Sequence, residues 1–310
     1  MSRIHDALKK AEQERLEVPI PEVASPISDV PDPELSGRAM ATTVAAEERA
    51  ATYSLPPDVV ADEHLRFDDL MARCAHPHWQ LDANANVFSN GLNSRGAEQF
   101  RTLRSRLYQL RGTQPFRTIL VTSAVPAEGK TYVASNLAQA IVRQPDRRAL
   151  LIDADLRCAR LHVPFGAPTT PGLTDYLRGE ADEAAVIQSG QDNLCLIPGG
   201  NEVTNPSELL SNGRLSHLLD RLTPVFDWVI LDSPPCLPVA DSTILAQMCD
   251  AVLLVVRAGV TPSDVARRAL QELHDRNIAG VVLNAVDDIH MYGSYYQEYG
   301  YSADSKPQSR

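Results

Sequence analysis

Between residues 116 and 286 the chain alternates short apolar runs with longer amphipathic stretches. The apolar runs, rich in Val, Ile and Leu, are FRTILVTSA (116–124), RALLID (148–153), NLCLIPG (193–199), WVILDSPP (228–235), DAVLLVVRAG (250–259) and AGVVLNAV (279–286). The stretches with helical periodicity are KTYVASNLAQAIVR (130–143), SELLSNGRLSHLLDRL (207–222) and DVARRALQELHDRN (264–277). This alternation predicts an α/β fold with a mostly parallel sheet and helices on both faces. In such sheets ligands bind at the carboxyl ends of the strands.

The N-terminal part of the chain has a different pattern. Ile4, Leu8 and Ala11 have helical spacing among charged residues, which predicts a short helix that is either frayed in solution or docked on another protein. Prolines at positions 19, 21, 26, 31 and 33 then exclude regular structure, although 62–75 could form a helix. The predicted organisation is a docking helix (1–17), a mostly disordered Pro/Ala/acidic linker (18–90), a globular domain (91–290) and a flexible tail (291–310).

Composition narrows the function classes. The formal net charge of −11 argues against a general nucleic-acid-binding surface, so we expect no nucleic-acid partner. The five cysteines are scattered and form no C-x-x-C motif, which favours a reducing compartment and indicates no metal or disulfide framework. No run of about 18 apolar residues is present, and the first residues lack a secretory signal. We therefore expect a cytoplasmic protein, for which a membrane would matter only through a partner.

The stretch TSAVPAEGKTY (122–132) lies between the first predicted strand and the first predicted helix of the domain. It has the Gly-Lys-Thr ending of a phosphate loop, with Ala124 in place of the usual first glycine. Lys130 would reach the β- and γ-phosphates of a nucleotide, and the Thr131 hydroxyl would bind Mg²⁺. The predicted nucleotide-binding residues are Ala127, Glu128, Gly129, Lys130, Thr131 and Tyr132. The fold class is accordingly a P-loop NTPase.

Aspartates end two further predicted strands. Asp153 and Asp155 in LLIDADLR (150–157) are two residues apart and face the same side, where they can bind Mg²⁺ or accept a proton from a hydroxyl. Arg157 follows as a cation able to meet phosphate charge. Asp232 ends the strand in VILDSPP (229–235), and a Mg²⁺ shell would compensate its buried charge. The predicted catalytic residues are Lys130, Asp153, Asp155, Arg157 and Asp232, and the predicted metal ligands are Thr131, Asp153 and Asp232.

Taken together, these motifs resemble those of the bacterial tyrosine kinases, the BY-kinase family of capsular and exopolysaccharide export. The resemblance covers residues 95–301, and the start MSRIHDALKKAEQER is similar to that of exosortase-associated members. It implies an ATP- and Mg²⁺-dependent tyrosine autokinase that regulates assembly of a polysaccharide export complex. It also implies that Glu98, Arg101 and Arg104 lie at a subunit interface; an ordinary solvated helix face is the alternative for them.

Five of the nine tyrosines cluster near the C-terminus, which matches the autophosphorylated tail of that family. The implied phosphoacceptors are Tyr292, Tyr295, Tyr296, Tyr299 and Tyr301. A tail with a packing role only is the alternative. Each phosphate would add roughly −1.5 to −2 charges to a net-acidic chain, so we expect phosphorylation to drive subunits apart.

The resemblance also implies partners: a separate transmembrane co-polymerase as activator, further copies of the chain, and a phosphotyrosine phosphatase. Cys158 and Ala159 stand where the family usually has Arg-Pro. Partition-type ATPases share the fold but carry a second lysine early in the loop, where this chain has Val125. A nucleotide-dependent scaffold without kinase activity is the other competing function.

Overall fold

The computed structural model of the protein describes residues 65–89 and 94–286. The strands are β1 Thr118–Ser123, β2 Ala149–Asp153, β3 Gln188–Ser189, β4 Leu194–Ile197, β5 Trp228–Asp232, β6 Ala251–Arg257 and β7 Ile278–Asn284. The helices are α1 Phe67–Arg73, α2 Arg95–Thr113, α3 Lys130–Val142, α4 Leu173–Arg178, α5 Glu183–Val186, α6 Pro206–Leu210, α7 Arg214–Leu222, α8 Asp241–Met248 and α9 Ser263–Glu272, with a 3₁₀ turn at Val163–Phe165.

The strands form one sheet in the order β3-β4-β2-β5-β1-β6-β7. Every pairing is parallel except that of the two-residue β3 with β4. The carboxyl ends of β1, β2 and β5 therefore meet at one edge of the sheet. In the register of β2 with β5, Asp153 pairs with Asp232.

Two hydrophobic clusters cover the two faces of the sheet. Leu120 packs into one cluster and its neighbours Ile119 and Val121 into the other, as the alternation of side chains along a strand requires. Helices α2 and α3 cover one face with Phe100, Leu107, Leu137 and Ile141. Helices α4, α7, α8 and α9 contribute Leu177, Leu215, Leu245 and Ala269 to the other. The predicted α/β fold is confirmed.

The structure corrects the predicted linker boundary at residue 90. Residues 65–89 pack against the domain: Phe67 meets Phe226 edge to face, and Trp79 meets Phe165 with ring centroids 5.1 Å apart. Asn136 of α3, which is fully buried, accepts from the Val87 amide. The folded domain therefore includes these residues. Beyond α1 their apolar side chains have no periodicity, so the sequence pattern of 75–89 resembles that of a linker.

Two further predictions can be compared with the fold. The helix expected within 62–75 is α1, and the helical stretch 207–222 divides into α6 and α7 at Gly213, whose φ is 82°. The predicted docking helix, most of the predicted linker and the tyrosine tail lie outside the described residues. Within the described ranges, no helix is long and apolar enough to span a bilayer.

Candidate active site

The loop between β1 and α3 has the shape of a phosphate cradle. Ala127 and Gly129 both have left-handed backbones, with φ of 65° and 91°, and a side chain at Gly129 would collide with the Asn284 amide. The first intrahelical hydrogen bond of α3 runs from the Val133 amide to the Gly129 carbonyl. The amides that precede Val133 in the helix therefore have no intrahelical acceptor and are available to an anion.

Lys130, the first residue of α3, lies among carboxylates. Its Nζ is 3.1 Å from Asp155 Oδ2, and both side chains are largely buried. Burial lowers the pKa of Lys130, but the nearby carboxylates of Asp232 and Asp155 outweigh burial and raise the pKa above its usual value. The lysine is thus held as a cation beside the loop, in the place from which it would meet phosphate charge.

Asp153 and Asp232 end neighbouring strands and are both fully buried or nearly so. Asp153 accepts hydrogen bonds from the amides of Leu161 (2.8 Å) and Asp155 (3.3 Å). Burial, followed by the charge of Asp232, raises the pKa of Asp153 well above its usual value. Burial also raises the pKa of Asp232 to about 6, although Lys130 and the Thr131 hydroxyl act in the opposite direction.

The residues present fit a magnesium ion that is shared with a nucleotide. Asp232 Oδ1 is buried and has no hydrogen-bond partner among the described residues, and the Thr131 hydroxyl hydrogen-bonds the same carboxylate. No three His, Cys, Asp or Glu side chains in the described ranges are arranged to hold a metal ion by themselves. Mg²⁺ in phosphate-binding sites needs only one or two protein ligands, because phosphates and water supply the others.

Comparison with known proteins identifies the family. A family model described as "Cellulose biosynthesis protein BcsQ" matches residues 118–279. Tyrosine-protein kinase YwqD of Bacillus subtilis is 35% identical over 211 residues, which cover 67% of this chain and 86% of YwqD. EpsB of Ralstonia solanacearum is 38% identical over 221 residues, which cover 68% of this chain and 29% of EpsB. The solved kinase domain of Escherichia coli tyrosine kinase ETK superposes with a TM-score of 0.58 at 34% identity, covering 62% of this chain and 76% of that domain.

The chain belongs to the bacterial tyrosine-protein kinase family.

Membership of this family confirms the predicted resemblance, the P-loop α/β fold and, at the level of the family, the enzyme class. A protein kinase transfers a phosphoryl group from a nucleotide, so the prediction of a nucleotide site agrees with membership of this family. The chain spans less than a third of the length of EpsB but most of YwqD.

Arg157 is paired with a carboxylate outside the Lys130 cluster. Its guanidinium forms a two-pronged ion pair with Asp241, at 2.7 and 3.0 Å, and also donates to the Ser207 hydroxyl at 3.1 Å. Asp241, the first residue of α8, is fully buried, so the arginine is needed to compensate its charge. The predicted role of Arg157 toward phosphate charge stays a prediction, and in the structure its guanidinium is engaged by Asp241. The partners are 84 positions apart, and no local pattern links them.

The predicted interface residues lie on α2. Arg101 pairs with Glu98 at 2.9 Å along the helix, and Arg104 donates to the Ala140 carbonyl of α3 at 2.6 Å. Arg104 thus already joins two helices of its own chain. Use of the three side chains between subunits stays a prediction.

Two residues beside the phosphate loop have specific neighbours. The Tyr132 ring packs edge to face on Phe100, and burial raises the pKa of its hydroxyl. Its amide is one of those that precede Val133 and have no intrahelical acceptor. Asn284, the last residue of β7, donates from its amide to the Glu128 carbonyl at 2.9 Å. It therefore lies against the phosphate loop.

Proposed function

We propose that this chain is an ATP-dependent protein-tyrosine autokinase that phosphorylates the tyrosines of its C-terminal cluster in a neighbouring copy. The observation that carries the proposal is the grouping of Lys130, Asp153, Asp155 and Asp232 around the start of α3. The ammonium group of Lys130 lies among three carboxylates beside the phosphate loop. Such a site suits a nucleotide, because Lys130 can exchange its ion pair with Asp155 for one with the phosphates.

Lys130 and the loop amides would bind and orient the nucleotide phosphates. In the structure Lys130 is paired with Asp155, so it would turn from this carboxylate to the phosphate oxygens when the nucleotide binds. Asp155 is then left as an unpaired carboxylate within the site. Mg²⁺, when bound by Thr131 and Asp232, would neutralise charge on the transferring phosphoryl group.

The tyrosine hydroxyl needs a proton acceptor at the moment of transfer, because a phenol has a reference pKa near 10. We assign this role to Asp153, with Asp155 as the alternative. The phenol oxygen forms the new bond to the γ-phosphorus, the bond from that phosphorus to ADP breaks, and the phenol proton passes to the carboxylate. The high pKa of Asp153 makes its ionised form a stronger base than an ordinary aspartate.

Phosphorylation would regulate assembly through charge. Each phosphotyrosine adds roughly −1.5 to −2 charges to a chain whose formal net charge is already −11. The proposal extends to the setting that the family resemblance implies: a polysaccharide export complex at the inner membrane, with a separate transmembrane co-polymerase as activator and a phosphatase that resets the tail.

Labelling with γ-phosphate-labelled ATP and magnesium tests the activity. Two proteins are prepared: a Lys130→Met variant with the tail intact, and a variant with an intact site in which all five C-terminal tyrosines are Phe. We expect neither to be labelled alone. When the two are mixed, label should reach the Lys130→Met chain, because that chain supplies the tail and the other supplies the site.

Each contrary outcome identifies another function. Label on the five-Phe variant would place the acceptor elsewhere, and an unlabelled mixture would refute transfer between copies if the parent protein labels itself. Phosphate release without labelled tyrosine favours a partition-type ATPase. Nucleotide binding with neither labelling nor phosphate release favours a scaffold.

The same preparations test regulation of assembly. Light scattering on phosphorylated and dephosphorylated parent protein should show smaller particles in the phosphorylated sample. The five-Phe variant should keep the larger size with or without ATP. Equal sizes of phosphorylated and dephosphorylated parent would contradict an electrostatic control of assembly.

A further inference from the structure

Glu128 is a buried carboxylate inside the phosphate loop. Only 2% of the residue is exposed, and its side chain folds back on the loop, where Oε2 accepts a hydrogen bond from the Val125 amide at 2.8 Å. Oε1 accepts from the Arg257 amide at 3.3 Å and from the Thr261 hydroxyl. Arg257 ends β6 and Thr261 lies in the connection to α9, so one side chain joins the loop to a neighbouring strand end.

The direction of this side chain matters electrostatically. A carboxylate that faced into the cradle would repel the phosphates that the loop amides attract. Glu128 instead directs both oxygens at donors on its own loop and on the β6 end. The carboxylate of Glu128 therefore fixes the loop by hydrogen bonds. The phosphates would be bound by the loop amides and Lys130.

The main chain of the loop is held at the same place from β7. The Asn284 amide donates to the Glu128 carbonyl at 2.9 Å. The residues on either side of Glu128 both have left-handed φ, 65° at Ala127 and 91° at Gly129. A left-handed alanine costs of order 1 kcal/mol, so contacts from outside the loop are needed to maintain this shape.

We propose that Glu128, Thr261 and Asn284 are positioning residues that fix the phosphate loop from the ends of β6 and β7. They preset the directions of the loop amides before the nucleotide arrives. This inference rests on the proposed nucleotide-binding function and goes beyond it, because it assigns the shape of the cradle to side chains that do not touch the phosphates.

The Thr261 hydroxyl gives the sharpest test, because valine has the same shape without the hydroxyl. Thr261→Val should raise the Kd for magnesium-ADP about threefold to tenfold, and Thr261→Ser, which keeps the hydroxyl, should restore it. Glu128→Gln should raise the Kd by about tenfold or more, because the two main-chain donors then compete for one acceptor oxygen.

A matched control removes a carboxylate elsewhere. Glu183 accepts two hydrogen bonds of 2.7 Å from Arg221, remote from the loop, and Glu183→Gln should leave the Kd within twofold of the parent. In kinase assays the KM for ATP of Thr261→Val should rise while kcat changes less, because the amides bind ground state and transition state alike.

The inference is overturned if Thr261→Val binds ADP as the parent does, whether or not its melting temperature falls. It is also overturned if Thr261→Ser fails to restore the affinity. If Glu128→Gln does not fold, the comparison of Thr261→Val with Thr261→Ser tests the inference alone. ADP binding is measured without phosphoryl transfer, so a parent that binds ADP but labels no tyrosine refutes the proposed kinase and leaves the loop assignment to be judged on its own.

Discussion

Asp153 and Asp232 are paired in register at the ends of two adjacent parallel strands, and both carboxyl groups are buried. Neighbouring strands are about 4.8 Å apart, so the two groups cannot separate unless the sheet itself shifts. The unliganded protein therefore keeps like charges close together in a region with little water. Such an arrangement favours cation binding at the expense of stability.

Removal of one of these carboxylates should make the protein more stable but weaken its magnesium-dependent binding of ADP. At pH 7 without nucleotide or metal, Asp232→Asn should raise the free energy of unfolding by about 1 kcal/mol, because it removes a buried charge and its repulsion of Asp153. The same variant should lose the tighter binding of ADP that magnesium gives the parent. Denaturant unfolding and calorimetry with magnesium or EDTA check the two effects, and a less stable variant would contradict this account.

The stability of the unliganded protein should depend on pH in an unusual direction. Burial raises the pKa of Asp232 to about 6, above that of the unfolded chain, so the folded state binds the proton more tightly. This carboxyl therefore stabilises the fold more as the pH falls from above 6 towards 4, and the stabilisation is lost as the pH rises through 6.

The measurement is a difference between two proteins. Burial lowers the pKa of His162, which acts in the opposite sense near the same pH, but this effect is common to parent and variant. Between pH 7 and pH 5 the parent should gain about 1 kcal/mol relative to Asp232→Asn. Identical pH profiles for the two proteins would contradict the assignment.

Arg157 and Asp241 should behave as one structural unit. Burial alone would raise the pKa of Asp241, but hydrogen bonds from Arg157 and Ser207 outweigh it and hold the pKa below its usual value. Arg157→Gln should lower the free energy of unfolding by about 1–2 kcal/mol, a moderate cost because the arginine is 41% exposed. Asp241→Asn should have a similar effect, and the double variant should cost less than the sum.

Kinetic measurements on these variants distinguish a structural role of Arg157 from a catalytic role. If Arg157 acts by holding Asp241, both single variants should change the KM for ATP alike and by less than about tenfold. The opposite result would be an Arg157 variant that folds as well as the parent but transfers no phosphate, while Asp241→Asn stays active. It would support the catalytic role predicted for Arg157 from the sequence.

Trp79 should be essential to the stability of the domain. It is 6% exposed and packs on Phe165, and a side chain at Gly190 would collide with its ring. In the full chain, Trp79→Ala should lower the free energy of unfolding by about 3–5 kcal/mol, and Trp79→Phe by clearly less. Thermal unfolding checks both, and a Trp79→Ala protein that melts with the parent would show that 65–89 packs only loosely.

Much of the site could be predicted because its parts are local in sequence. A buried parallel strand is a run of Val, Ile and Leu, and an aspartate at the end of such a run lies at the sheet edge where ligands bind. Asp153, Asp232 and the loop before Lys130 all satisfy this rule, which needs no knowledge of distant contacts.

Relationships across the chain could not be predicted in the same way. The ion pair of Arg157 with Asp241 and the hydrogen bond of Glu128 with Thr261 join residues 84 and 133 positions apart, and both depend on the strand order. Trp79 and Phe88 are single aromatic residues in polar surroundings, so their burial has no periodic signal. Tertiary packing alone determines these positions.

The position of Asn284 limits how far each tyrosine of its chain can travel. Asn284 ends β7 against the phosphate loop, and Tyr292 follows eight residues later. A fully extended chain spans about 3.5 Å per residue. Tyr292 can therefore lie at most about 28 Å from Asn284, and Tyr301 at most about 60 Å. The five tyrosines thus differ in the distance that they can span. We expect the most distal one to reach the active site of an adjacent copy first. Peptide mapping over a time course would show this order of phosphorylation.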